Sequence, residues 1–442
     1  MDVKELRNSI RSGLDRIAVI DSHDHIESLE PVPSSENRLF RAIGRSFIKN
    51  DLLNTGVTAS RWSAAIDKDA VGWVGFRRYI DLCRNTAYFR CFLIALRDLL
   101  EIDIHELTDE NWERVSQALL AASKQPGWYE HVLRTAGNID VVLWDQMYGE
   151  PAWPSIHSDL FLPMQRFDSF GDLCSPSYRS EFYRAYGTEP ATIADVLDAM
   201  IAALQKAHEE GVAGVKIAAA YFRGIRLKVC PRAEASRIFS KSPGDITYPE
   251  LLAFQDFIYA HLIQQCISCD LPIQIHTGMQ SASGFLHNGY PLYLEETLWR
   301  FPKAKFVLLH ASFPFTSHAT ALAARHPNVY VDGSWLPILC PSVYRSTLRE
   351  WLDVLPIERI LAWGGDALRV EMTYGSLVLA KNALADVLAE KAAEGEITEA
   401  QAGHIGRRFL RENARELFKT DEVRSRRQRT FGSAQKETKR VA

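Results

Sequence analysis

Val19-Ile20-Asp21-Ser22-His23-Asp24-His25-Ile26 is a short apolar run that ends in two histidines one residue apart. On a β-strand alternate side chains share a face, so His23 and His25 project the same way from the strand's end. Two neutral imidazoles held that closely suit a divalent transition metal such as zinc. The same device recurs downstream. Apolar runs close on Lys216 (Gly214-Val215-Lys216-Ile217-Ala218), His276 (Leu271-Pro272-Ile273-Gln274-Ile275-His276), His310 (Phe306-Val307-Leu308-Leu309-His310) and Asp366 (Ile360-Leu361-Ala362-Trp363-Gly364-Gly365-Asp366). Together these residues point to a metal centre, and the strands that carry them point to a fold.

Working outward, strand-like runs fall at Ala18–Asp21, Ile139–Leu143, Leu160–Met164, Gly211–Ala219, Pro272–Ile275, Lys305–Leu309, Val329–Val331 and Arg359–Trp363. Helical periodicity fills the gaps at Ile193–Glu210, Tyr248–Cys269, Leu292–Phe301, Ser317–His326, Ser342–Val354 and Glu371–Glu394. Helices between apolar strands mean parallel βαβ units, and eight such strands predict an α/β fold, the closed (β/α)8 TIM barrel. In that architecture the working residues sit where strands end, which is where His23, His25, Lys216, His276, His310 and Asp366 lie.

Two segments depart from a minimal barrel. Residues 27–138, between the first two strands, carry helical patterns at Trp73–Arg84, Tyr88–Leu100 and Thr108–Ala122, the last with Thr108 as N-cap. An insertion after the first strand lies on the active-site side, so a helical lid is expected. Residues 421–442 alternate Arg424, Arg426, Arg427, Arg429, Lys436, Lys439 and Arg440 with small polar residues, which predicts a basic, disordered tail. The barrel with its lid then occupies residues 1–420.

Composition narrows the class. A chain of 442 residues, 47% hydrophobic, can bury a large core, and a net charge of −4 gives no bulk signal for nucleic-acid or membrane partners. Seven scattered cysteines fit a reducing compartment, and Cys266-Ile267-Ser268-Cys269 reads as buried thiols late in a helix. The charged start Met1-Asp2-Val3-Lys4-Glu5-Leu6 lacks a signal-peptide core, so a cytoplasmic location is expected. His105, His131, His208, His261, His326 and His404 read as structural histidines.

The order His-x-His, Lys, His, His, Asp on strands one, four, five, six and eight resembles the amidohydrolase superfamily, in particular its binuclear branch typified by phosphotriesterase and dihydroorotase. That resemblance implies that His23, His25 and Asp366 hold one metal, His276 and His310 a second, and a carbamylated Lys216 bridges both. A carbamate offers two anionic oxygens where a bare ammonium is a poor ligand. The cofactor implied is one or two divalent ions, zinc first and manganese as an alternative. Asp366 would also take a proton from metal-activated hydroxide and pass it to the leaving group. Tyr221-Phe222-Arg223-Gly224-Ile225, Gln274-Ile275-His276-Thr277-Gly278, Leu308-Leu309-His310-Ala311-Ser312-Phe313-Pro314 and Asn413-Ala414-Arg415-Glu416-Leu417-Phe418 are similar to the amidohydrolase-related group whose members include a domain fused to glutamine synthetase in some fungal and plant proteins. The insertion after strand one also resembles that of uronate isomerase. Gly365 stands where the superfamily often has Thr.

The expected activity is hydrolysis of an amide, lactone or related bond in a small, anionic substrate. Arginine forks suit carboxylate or phosphate, which makes Arg166, Arg223 and Arg226 candidate anchors. Tyr221 is a candidate donor to a carbonyl or phosphoryl oxygen and Trp335 a candidate pocket wall, with Trp144, Asp145 and Gln146 behind them. The partner expected is the small-molecule substrate, alongside a possible second copy of the chain. Two rivals stand beside the hydrolase: a uronate-type isomerase or metal-dependent decarboxylase using one metal, with Lys216 as a charged anchor, and a non-catalytic scaffold.

Overall fold

A computed structural model of the chain describes residues 2–27, 38–62, 72–145, 159–174, 190–281 and 284–441. Gln146 and parts of the insertion lie outside them. Every apolar run is a strand: β1 Val19–Asp24, β2 Ile139–Asp145, β3 Phe161–Arg166, β4 Gly214–Ile217, β5 Ile273–Ile275, β6 Phe306–Leu308, β7 Val329–Asp332 and β8 Ile360–Leu361. They form one sheet of parallel strands in chain order, a nearly closed TIM barrel. Such strands are covered on both faces, which is why they read as unbroken apolar runs and not as alternating ones. All six residues of β1 are buried, its two aspartates included.

The chain divides into two compact units, and the division falls inside β2 and β8. The first unit comprises Met1–Val142, Gly333–Asp353 and Leu361–Asn413. Here the carboxyl end of β1 meets the end of β8: the amide of Ser22 donates to the carbonyl of Trp363 at 3.4 Å, and that of Asp366 to the carbonyl of His23 at 2.9 Å. The insertion is helical at Arg38–Gly44, Ile48–Asn54, Gly72–Cys83, Ala87–Leu100 and Trp112–Ser123. Its core is aromatic, with Phe40 stacked on Phe76 at 3.9 Å and Trp73 on Trp112 at 5.3 Å. The last of these helices starts later than its Thr108 cap predicts. Asn111 precedes it and is turned back, its Oδ1 accepting from the Thr108 amide at 2.9 Å and its Nδ2 donating to the Glu106 carbonyl at 2.9 Å.

The amino-terminal helix Val3–Asp15 packs on the helix Val370–Ala393, and there Lys381 is buried with Nζ 3.6 Å from Asp15. Burial pushes the Lys381 ammonium down from its usual range to about 8, against the pull of Asp15. The unfolded chain holds that proton to about pH 10.4. Between the two values the unfolded state binds more protons, so this site's contribution to stability rises with pH. Lys381→Met is expected to stabilise the protein by about 1–3 kcal/mol at pH 7. The gain should shrink towards zero above pH 10.5, as urea midpoints at the two pH values would show.

The second unit comprises Leu143–Asp332, Val354–Ile360 and Ala414–Ala442. Its register sets Arg166 beside Lys216, Ile217 beside Ile275 and Ile275 beside Leu308. The helix Ile193–Glu210 starts on a reciprocal cap, with Thr192 Oγ1 accepting from the Asp195 amide and Asp195 accepting from the Thr192 amide at 2.8 Å. It stops at Gly211, whose φ of 89° is left-handed. The tail differs from its predicted disorder: Thr420–Val441 is a helix. Thr420, Val423 and Arg427 are buried at positions i, i+3 and i+7, a stripe that the run of charges conceals. A Cβ on Gly211 would lie 2.6 Å from the Arg427 stem, so glycine lets this helix pack close. No helix among the described residues is long and apolar enough to cross a membrane.

Candidate metal centre

In the first unit, His23 is buried on β1, and Asp366 follows β8 after two glycines. Asp366 Oδ1 lies 3.3 Å from His25 Nε2 and 3.6 Å from His23 Nε2. The rings of His23 and His25 meet edge to face at 4.8 Å. Donors about 2.0–2.2 Å from a tetrahedral ion stand roughly 3.3–3.6 Å apart. Two imidazoles and a carboxylate at these separations fit a divalent ion.

The main chain around this cluster is constrained. Asp21 Oδ1 accepts from the amides of His23 at 3.1 Å and Gly365 at 3.0 Å. Asp24 Oδ1 accepts from the amides of His25 and Ala367, both at 2.7 Å, and its Oδ2 accepts from Thr373 Oγ1 at 2.8 Å. These two carboxyls stitch β1 to the segment carrying Asp366. Burial raises both: Asp21 well above the carboxylate range, with Asp24 adding to it, and Asp24 to about 6 against the hydrogen bonds it receives. Sequence reasoning passed over Asp21, Asp24 and Thr373. The signal was an acid inside a strand buried on both faces. Gly365 is explained by the same pair, since a Cβ there would lie 2.2 Å from Asp24 Oδ2 and 3.0 Å from Asp21 Oδ2. Gly365→Ala is expected to cost about 1–3 kcal/mol, a drop in denaturant midpoint at unchanged slope.

In the second unit, His276 follows β5 and His310 follows β6. His276 Nε2 lies 3.0 Å from the carbonyl of Met279, and its Nδ1 lies 3.0 Å from His310 Nε2. A carbonyl only accepts, so His276 Nε2 carries the hydrogen and its Nδ1 presents a lone pair. That arrangement aims a histidine as a ligand, the far nitrogen being held by the backbone. His310, Ala311 and Ser312 occupy left-handed φ values of 63°, 47° and 56°. Ser312 is held by Thr277 at 2.7 Å, and Gly278 must be glycine because a Cβ there would lie 2.3 Å from the Phe313 carbonyl oxygen. Trp335 and Asp366 in the first unit also have left-handed φ, 65° and 46°. Left-handed non-glycine residues cost free energy and persist where surrounding contacts over-determine them, often at functional sites.

Lys216 is buried on β4 with Nζ 3.6 Å from Asp145 Oδ2. Asp145, at the end of β2, also accepts two hydrogen bonds of 2.8 Å from Arg166. Arg166, expected to anchor a substrate, is therefore a fork clamped on a buried carboxylate. Arg223, the second candidate anchor, is likewise engaged by protein groups. It is buried, and its nitrogens donate to Asp256, Gln255 and the carbonyls of Gly224, Leu252 and Arg226, so it braces the loop after β4. Arg226 is exposed, its guanidinium 4.7 Å from the centre of the Tyr293 ring. Tyr221 stands with its ring 4.6 Å from that of His276 and its hydroxyl 3.5 Å from Ser281 Oγ. Trp335, after β7, is buried against the Phe47 ring of the insertion at 5.3 Å.

Residues 190–420, more than half of the chain, match the family model described as Amidohydrolase. Protein fluG of Emericella nidulans is 32% identical over 153 residues, 34% of this chain and 18% of that protein, so the match spans less than a fifth of the relative. A putative metal-dependent hydrolase from Lactobacillus casei superposes with a TM-score of 0.67 at 20% identity, covering 94% of this chain and 98% of its own. Glucuronate isomerase from Caulobacter crescentus gives a TM-score of 0.77 at 14% identity over 95% of both chains. Uronate isomerase from Thermotoga maritima gives 0.75 at 15% identity, covering 94% of this chain and 97% of its own. At these identities the structures share the fold alone. On the match to residues 190–420, the chain belongs to the amidohydrolase family.

Proposed function

We propose that the chain is a metal-dependent hydrolase that cleaves an amide, lactone or related bond in a small substrate. The observation that carries this reading is the cluster of His23, His25 and Asp366, whose donor atoms stand 3.3 and 3.6 Å apart. These residues would hold a divalent ion, which would supply Lewis-acid activation of the substrate and of water. Asp366, with a second carboxylate oxygen beyond the one near the histidines, is the group that takes the proton. His276, its Nε2 held by the Met279 carbonyl, and His310 are a second pair of candidate ligands, in the second unit. Tyr221, beside His276, is the donor we assign to the substrate's carbonyl oxygen. Protein stripped with a chelator is expected to be inactive on a panel of N-acyl amino acids, lactones and uronates, and to recover with zinc or manganese. Activity untouched by complete metal removal would overturn the proposal.

A second reading, a one-metal isomerase or decarboxylase, draws on the Lys216–Asp145 pair. An ammonium 3.6 Å from a buried carboxylate is attracted, whereas a carbamate in its place would be repelled unless a cation lay between. The two readings predict different metal counts. For the carbamate, Lys216→Ala should lose one of two ions and recover it partly with short-chain carboxylic acids, and protein grown on labelled bicarbonate should give a carbamate carbon signal. For the ammonium, there is one ion per chain and no such signal.

A further inference from the structure

We propose that the first unit carries a binding site for a small organic anion, a carboxylate or phosphate on an apolar body, at the amino end of β1 and away from the metal ligands. The site is a cleft of about 630 Å³ between the helices Val3–Asp15 and Glu399–Arg407. That volume lies within the range of small-molecule pockets. Its floor is apolar, built from Ile10, Leu14 and Ile17, all buried.

Three guanidinium groups stand around that floor: Arg16 just past the first helix, and Arg407 and Arg411, four residues apart on one continuous helical run. Arg411 is fixed, donating to the carbonyl of Ala18 and to Asp140. It sits in a π-helical turn, Arg408–Glu412, a local widening of the helix that is frequent at functional sites. Arg16 and Arg407 are exposed and more weakly held. Arg16 donates to Ser12 Oγ at 2.9 Å, and Arg407 Nε is 4.0 Å from Glu412. The lining's carboxylate, Glu399, is engaged by Ser9 Oγ. Planar guanidinium forks suit the two or three oxygens of a carboxylate or phosphate.

Two glycines keep the cleft open. Gly13 and Gly403 lie inside helices, where glycine is a poor residue. A Cβ at Gly13 would meet only the Arg16 Nη2 atom, at 3.9 Å, and a Cβ at Gly403 only Arg407 Nη1, at 3.9 Å. Helical packing therefore does not require glycine at either position. What the missing side chains provide is the space in front of the two arginines. Nearby Gly406 is the contrast: a Cβ there would lie 2.4 Å from Leu14, so that glycine serves close packing.

The test uses the full chain with phenyl phosphate and benzoate as probes, followed by calorimetry and by thermal unfolding. The expected result is saturable binding of at least one probe, with a raised unfolding temperature. Arg16→Gln with Arg407→Gln should weaken binding at least tenfold while metal content and circular dichroism stay unchanged. Gly13→Leu with Gly403→Leu should fill the cleft, abolish binding and leave the protein folded. Comparing phenyl phosphate with benzoate separates the two anion sources, and inorganic phosphate alone should bind more weakly because it leaves the floor uncovered. No saturable binding of either probe, or binding that survives both double variants, would overturn the proposal.

Discussion

His23→Ala combined with His25→Ala is expected to strip the protein of its tightly held metal and to remove its activity on every substrate. Each imidazole contributes one neutral nitrogen, and Asp366 Oδ1 alone lies 3.3 and 3.6 Å from those nitrogens. Without them this cluster keeps only the Asp366 carboxylate, a donor that water competes with easily. Even residues that only orient a ligand cost about 10–100-fold in metal affinity when changed, so losing two ligands should exceed that. The backbone should survive, because Asp21 and Asp24 hold β1 through main-chain amides and the Thr373 hydroxyl, not through the imidazoles. Elemental analysis after gel filtration reads the metal directly and needs no substrate. His261→Ala is the control. Its Nδ1 faces the Phe257 carbonyl at 2.8 Å within its own helix, and metal content should not change. Wild-type metal content in the double variant, with wild-type binding of zinc after chelation, would show that the ion is held elsewhere.

The barrel was legible because its physics is local. A strand covered on both faces must be apolar along its length, and a helix between two such strands forces them parallel. The run Phe306-Val307-Leu308 therefore announces β6 without knowledge of its neighbours. Histidine, lysine or aspartate at the end of such a run is equally visible. What stayed hidden are the partners. Arg223 and Asp256 are 33 residues apart, Arg166 and Asp145 21, Thr373 and Asp24 349. An arginine near a strand end looks like an anion anchor until the carboxylate that occupies it is found, and only the fold brings that carboxylate in. The tail misleads for the same reason: Arg427 counts as a charge in the sequence, yet its stem lies over Gly211, more than two hundred residues earlier.

Asp366→Asn should separate the two roles assigned to this residue. The backbone at Asp366 is held left-handed at φ 46°, with its amide donating to the carbonyl of His23 at 2.9 Å, and Asn is among the residues that tolerate that conformation. The fold and the residue's position should thus persist. The amide keeps one oxygen to face His23 and His25, so the ion is retained at reduced affinity. It replaces the other oxygen with a nitrogen that carries two hydrogens and cannot accept a proton. If Asp366 is the proton acceptor, kcat should fall by about 10²–10⁴-fold, the range usual for loss of a positioned acid or base. KM should move far less, because substrate binding does not require the transfer. Asp366→Ala is the companion variant: it removes the ligand as well, so metal content and kcat should fall together. Assays at saturating zinc distinguish the cases. The Asn variant stays slow when fully loaded if the proton is the point, and recovers near wild-type kcat if ligation alone matters.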